Sequence, residues 1–320
     1  MTRSTFATSV LLFAYSLYCA CLTTQAKSFD DGPSSTQQPA NSQQTGSKVS
    51  DKQAVDIKPN KVLAFKQIAF KKTKGELKLH VFEPEGHQAT DQASAIVFFF
   101  GGGWNGGKPQ QFYEQAKFFA SKGYVAISAE YRVKSKHDAT PFDCVEDGKS
   151  AVRWIRSHAK ELGVNPNKII ASGGSAGGHV AACTGLIQGH ENKDEDLSVS
   201  SLPNAMVLFN PVLDTTKSGY GNNRFTPDRQ TEISPNHQVR PGVVPTILFH
   251  GTGDTTVPFE NATTFAKLMK AAGNECELKS FDGRGHGFFN GKSFRPKTKD
   301  TSDYERTIKE SLAFLKGHGF

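Results

Sequence analysis

From residue 95 onward, short apolar runs alternate with longer stretches whose apolar residues recur at helical spacing, and this alternation limits the fold more than any other feature. The runs lie at 95–100, 124–129, 168–172, 205–209, 246–250 and 277–281. Between them Phe112, Ala116 and Phe119 share one helical face, which Gly123 ends. Val145, Val152, Ile155, Ala159 and Leu162 share another, closed by Gly163 and an Asn165-Pro166 turn. Pro258 opens a helix carrying Phe265, Leu268 and Met269, and residues 304–315 predict a closing helix. A strand apolar on both faces needs cover on both. The pattern therefore predicts an α/β fold, a mostly parallel central sheet with helices on each face. Apolar segments 68–70 and 77–82 flank Lys74-Gly75 and predict an N-terminal antiparallel hairpin. Ligands of such sheets bind at the carboxyl ends of the strands.

The first 26 residues read differently. Arg3 gives a positive start, 10–22 form an apolar segment, and Thr24-Gln25-Ala26 sets small residues for a cut after Ala26. This predicts a signal peptide over 1–26 and a secreted or periplasmic protein. A thirteen-residue apolar segment is too short for a confident membrane span, so none is expected in the mature chain. Lipoprotein anchoring through Cys19 or Cys21 is the rival reading. Cleavage would leave Cys144, Cys183 and Cys276, an odd number, so at least one thiol has no partner within the chain. From 27 to 54 only Phe29, Ala40, Val49 and Ala54 are apolar, which predicts a flexible polar linker over 27–55 and one domain over 56–320. The whole chain carries 38 basic and 31 acidic residues, +7, or +6 without Arg3. The excess is spread out, with no block of bases to grip nucleic acid, and none is expected as a partner.

Gly173-Gly174-Ser175-Ala176-Gly177 fits Gly-x-Ser-x-Gly, with a strand before it and a helix-compatible run after. An elbow of this kind holds the serine hydroxyl clear of the sheet and turns the Ala176 N–H toward a developing oxyanion. No Lys follows as in a phosphate-binding loop, and the spacing fails Gly-x-Gly-x-x-Gly. Serine needs a base, and the base an orienting carboxylate. His286, in Gly283-Arg284-Gly285-His286-Gly287-Phe288, follows the last strand; His250, His179 and His158 lie on regular elements. Asp254, in His250-Gly251-Thr252-Gly253-Asp254, follows the penultimate strand, with Asp282 as its rival. The chain order Ser175, Asp254, His286 is that of the α/β-hydrolases. Gly101-Gly102-Gly103-Trp104 follows the first parallel strand, where free backbone N–H groups are needed.

Phe100-Gly101-Gly102-Gly103-Trp104, Ala129-Glu130-Tyr131-Arg132, Gly173–His179 and His250–Pro258 resemble the hormone-sensitive-lipase-like α/β-hydrolases, and within them the secreted feruloyl/acetyl-xylan esterases. The resemblance covers about residues 62–320. It implies an oxyanion hole from the N–H groups of Gly102, Gly103 and Ala176, and a serine esterase needing no metal or organic cofactor. One departure stands out: Phe100 takes the place of the family's usual His, so the loop must be held by other means. Family members often carry a helical cap before the first conserved strand; here a polar segment and a hairpin stand there, and no large cap is expected. The one sizeable insertion, 213–243, reads as a polar loop, which predicts an open cleft for a short-acyl or aromatic ester, small or on a polysaccharide. Trp104 and Phe288 are its expected walls. A prolyl-oligopeptidase-type peptidase, a lipase for longer acyl chains and an inactive binding module are the alternatives. The residues before 62 are too few for the peptidase's propeller, and a binding module needs none of the Ser, His and Asp.

Overall fold

The computed structural model describes residues 65–297 and 300–320. The signal peptide expected over 1–26 and the linker over 27–55 lie outside them. In chain order the elements are β1 (Phe65–Lys72), β2 (Glu76–Phe82), β3 (Ala93–Phe99), α1 (Tyr113–Ala120), β4 (Val125–Ala129), α2 (Lys134–His137), α3 (Pro141–Ser157) and β5 (Val164–Gly174). Then follow α4 (Ala176–Leu186), β6 (Ala205–Phe209), β7 (Thr246–Gly251), α5 (Phe259–Ala271), β8 (Cys276–Phe281) and α6 (Ser302–Gly317). One eight-stranded sheet runs in the order β1-β2-β4-β3-β5-β6-β7-β8. The expected hairpin is present: β1 pairs antiparallel with β2, and β2 with β4. From β4 to β8 every pairing is parallel.

The strands follow from their composition. All residues of β4, β6 and β7 are buried, as continuous apolar runs between two helical layers must be. The helices follow from theirs. α3 starts at a capping box, in which the Thr140 hydroxyl accepts from the Asp143 amide while Asp143 accepts from the Thr140 amide, with Pro141 at the first position. α3 is shorter than its apolar spacing predicts. It ends at Ser157, and Ala159 and Leu162 are buried in the turns beyond it. Asn165-Pro166 interrupts β5 rather than preceding it: Val164 pairs with Ala93, and pairing resumes at Ile169 opposite Ala95. Segment 213–243 also departs from its polar reading. Leu213, Phe225, Ile233 and Val243 are buried beneath its polar surface.

Cys144, Cys183 and Cys276 are all free and buried. Burial pushes the Cys276 thiol up to about 12 and raises the other two well above their ordinary value, so all three stay protonated and unreactive. Among the described residues no helix is long and apolar enough to cross a membrane.

Candidate active site

The strand order sets β3 beside β5, so the loops leaving their carboxyl ends meet. Ser175 stands alone between β5 and α4 with φ 57° and ψ −125°, a strained backbone for a residue with a side chain. Its N–H donates to the Phe209 carbonyl at 2.9 Å, and its own carbonyl accepts from His179 N at 3.0 Å and Val212 N at 3.2 Å. The flanking glycines are obligatory. A Cβ on Gly173 would lie 2.4 Å from the Gly177 carbonyl oxygen, and one on Gly177 would lie 2.1 Å from that of Phe99.

The glycine loop after β3 lies against this elbow: a Cβ on Gly101 would sit 3.2 Å from that of Ser175. Gly102 and Gly103 take φ of 130° and 60°. Three contacts hold the loop where the family's His is missing. The Phe100 ring stacks on Tyr131 with centroids 4.2 Å apart, and Tyr131 Oη donates to the Phe100 carbonyl at 2.5 Å. Gly101 N donates to Gln111 Oε1 at 2.7 Å.

Trp104 does not form a wall of the cleft, correcting the expectation. It is 1% exposed, packed against His179, Tyr220 and Phe225. Its Nε1–H donates to His179 Nδ1 at 3.3 Å, while His179 Nε2–H donates to the Ile233 carbonyl at 2.7 Å. Burial lowers the His179 pKa to about 4 against the opposing pull of that carbonyl, keeping the ring neutral. The residue nearest the glycine loop from segment 213–243 is one the sequence did not single out. Tyr220 Oη lies 2.7 Å from where a Cβ on Gly103 would be.

Across the sheet, His286 Nδ1–H donates to Asp254 Oδ2 at 2.7 Å, which leaves Nε2 as the accepting nitrogen. The same oxygen accepts from Asn210 Nδ2 at 2.7 Å and lies 3.3 Å from His250 Nε2. Asp254 Oδ1 accepts from the amides of Thr256 at 2.8 Å and Val257 at 3.0 Å. Burial alone would raise the Asp254 pKa. The bonds from His250, His286, the Val257 amide and Asn210 outweigh it and hold the carboxyl far below the usual range. The rival, Asp282, accepts instead from Thr252 Oγ1 at 3.1 Å. Asn210, at φ 40° directly after β6, gives no sign in sequence of its bond to a residue 44 positions later. Phe288 is 9% exposed, its ring set against Phe281 at 4.4 Å.

One buried chain of bonds joins the two halves. Gln111, which accepts from Gly101 N, donates through Nε2 to Asn290 Oδ1 at 2.9 Å, and Asn290 Nδ2 donates to the Gly287 carbonyl at 2.9 Å. The glycine loop and the His286 loop are thus tied together across 179 positions of sequence.

The BD-FAE family model matches residues 79–269. Esterase LipC of Mycobacterium tuberculosis is 28% identical over 219 residues, which are 62% of this chain and 54% of that protein. The acetylxylan esterase of Xylanibacter ruminicola is 25% identical over 237 residues, 69% of this chain and 45% of that one. The chain spans about half the length of these two curated relatives. Among solved structures, Thermogutta terrifontis esterase 2 phosphorylated by paraoxon has a TM-score of 0.75 and 47% identity over 80% of this chain and 95% of that one. The same esterase has been solved with propionate and with butyrate bound. Sheet order, serine elbow and the match over residues 79–269 agree: the chain belongs to the BD-FAE family of hormone-sensitive-lipase-like α/β-hydrolases.

Proposed function

We propose that the protein is a carboxylesterase with Ser175 as nucleophile, His286 as base and Asp254 as its orienting acid. The observation that carries this reading is the 2.7 Å bond from His286 Nδ1 to Asp254 Oδ2, made on the same side of the sheet as the Ser175 elbow. Ser175 attacks the ester carbonyl while His286 Nε2 takes its proton. The ionised Asp254 steadies the imidazolium so formed. The amides of Gly102, Gly103 and Ala176 receive the oxyanion, and His286 returns the proton to the departing alcohol. Water then releases the acid by the same steps, with no metal or organic cofactor. The relatives named above are esterases, and the paraoxon adduct of the Thermogutta enzyme is the product expected of an activated serine.

The substrate reading is a short-acyl or aromatic ester on a carbohydrate. Two findings favour it: one relative is an acetylxylan esterase, and the Thermogutta enzyme has been solved with propionate and butyrate. Export follows from residues 1–26 and would deliver the enzyme to polysaccharide outside the cytoplasm.

The test is a series of aryl esters from acetyl to octanoyl, with acetate and ferulate release from decorated xylan. Highest efficiency is expected from acetyl to butyryl, with release from the polymer. Ser175→Ala is expected to remove turnover by about 10⁶-fold, as in a well-studied protease, and to abolish the paraoxon adduct. Undiminished turnover in Ser175→Ala would overturn the mechanism. Efficiency that rises out to octanoyl, with no release from xylan, would replace the carbohydrate reading with a lipase.

A further inference from the structure

A cavity of about 300 Å³ lies beside the candidate base, with His286, Phe288, Arg284, Arg295 and Asp300 in its wall. This is the lower end of the size range of small-molecule sites, roughly 300–1,000 Å³. Its polar groups are only partly used. Arg295 Nη2 donates to the His286 carbonyl at 3.1 Å, and Arg284 Nε meets Asp303 Oδ2 at 2.8 Å. Asp300 Oδ1 accepts from Ser302 N at 2.9 Å. Among the described residues, Arg284 uses Nε and Arg295 uses Nη2 in these bonds, which leaves other guanidinium N–H groups to meet a ligand. Asp300 takes the Ser302 hydroxyl as well as its amide and is attracted by Arg284, and a carboxylate has acceptor capacity beyond these. The cavity thus offers donors and an acceptor side by side, with the Phe288 ring, itself 9% exposed, in the same wall. Its two arginines are balanced by Asp300 and Asp303, so its chemistry does not select for a charged ligand. Hydroxyl groups both donate and accept, and the C–H face of a sugar ring packs on an aromatic face.

Position gives the cavity a role. In ester hydrolysis the imidazole hands its proton to the departing alcohol, so that alcohol sits on the side of His286. We propose that this cavity is the subsite for the sugar that leaves, an uncharged hydroxyl-rich ring held by Arg284, Arg295 and Asp300 over Phe288. This rests on the carbohydrate-ester reading above and adds where the carbohydrate is bound. Specificity then resides in the alcohol half of the substrate, and the acyl group can vary between acetyl and feruloyl.

The experiment compares two acetates that share an acyl group and differ in the alcohol: phenyl acetate and a monoacetylated methyl xyloside. Wild type, Asp300→Ala and Arg284→Ala are measured, and the ratio of kcat/KM for the xyloside to that for phenyl acetate is the readout. Both residues are exposed, and the alanine variants leave their backbone bonds in place, so both are expected to fold; Arg295→Lys, which keeps a donor for the His286 carbonyl, is the third. The ratio is expected to fall about tenfold in each alanine variant, the worth of one hydrogen bond to a charged group. A xyloside-active wild type whose ratio is unmoved in both would overturn the subsite and leave the carbohydrate reading standing. A wild type that cleaves phenyl acetate and no acetylated sugar overturns both.

Discussion

The two halves of the site are built by different means. Around Ser175 and the glycine loop, backbone sterics set position: carbonyl oxygens stand 2.1 to 2.4 Å from where the Cβ atoms of Gly177, Gly102 and Gly173 would be. Around His286, side-chain hydrogen bonds set it, gathered on the carboxylate of Asp254. Two glycines of that loop are loosely surrounded, with nothing within 4 Å of a Cβ on Gly283 and only the Gly253 oxygen, at 3.8 Å, near one on Gly285; Gly287, beside the base, is tighter, 2.9 Å from Asn290 Nδ2. The elbow half is therefore held by volume, and the histidine half by its side-chain hydrogen bonds.

The largest expected effect tests the polar half. Asp254→Asn preserves shape but favours the wrong imidazole tautomer, and kcat should fall about 10⁴-fold, as in the protease precedent. Asp282→Asn, which loses only an exposed bond to Thr252, should change kcat little. A reversed ranking would break the comparison at its base. The same variant has a signature in stability. The folded carboxyl is held below its unfolded value of about 3.9, so its contribution is present above that pH and is lost as pH falls below it. Asp254→Asn should therefore lower the Tm at pH 7, and the gap from wild type should close on acidification below about pH 4.

A smaller effect tests the volume-sensitive half. Gly177→Ala drives a methyl group into the Phe99 and Phe100 carbonyls and should cost at least about 3 kcal/mol. Gly285→Ala, in the open loop, should stay within about 0.5 kcal/mol. Equal losses, read by thermal or denaturant unfolding, would mean that the two loops do not differ as described.

The smallest effect sharpens the comparison where the halves join. Gln111→Met fills a similar volume but removes both the acceptor for Gly101 N and the donor to Asn290. A fall of about tenfold in kcat with KM unmoved is expected, since the loss falls on the alignment of the oxyanion amides. An equal change in KM would mark Gln111 as a binding residue instead.

What the sequence disclosed follows the same division. The strand runs, the hairpin and the Gly-x-Ser-x-Gly elbow were legible because their causes are local: an apolar run needs covering, and a tight turn admits only glycine beside the serine. The contacts of Asn210, Gln111 and Asn290 were not, since each polar side chain finds its partner across 44 or 179 positions and has no periodicity of its own. Trp104 misled for a related reason. An aromatic residue beside a glycine loop looks like a surface for substrate, and only the fold brings His179, Tyr220 and Phe225 around it. Likewise, 213–243 appeared polar because its few apolar residues are far apart in sequence and come together beneath it.

The segment after β6 has a mechanical consequence. The Phe209 carbonyl takes the Ser175 amide, the Asn210 side chain takes Asp254, and the Val212 amide returns to the Ser175 carbonyl. Nucleophile and acid are thereby tied to one four-residue segment. The imidazole is not clamped in this way. Its ring is held at Nδ1 by a single bond, on a loop whose Asp282, Gly283, Arg284 and Gly285 are exposed. In such an assembly the orientation of the imidazole rests on one side-chain bond, while nucleophile and acid are placed by the backbone around them.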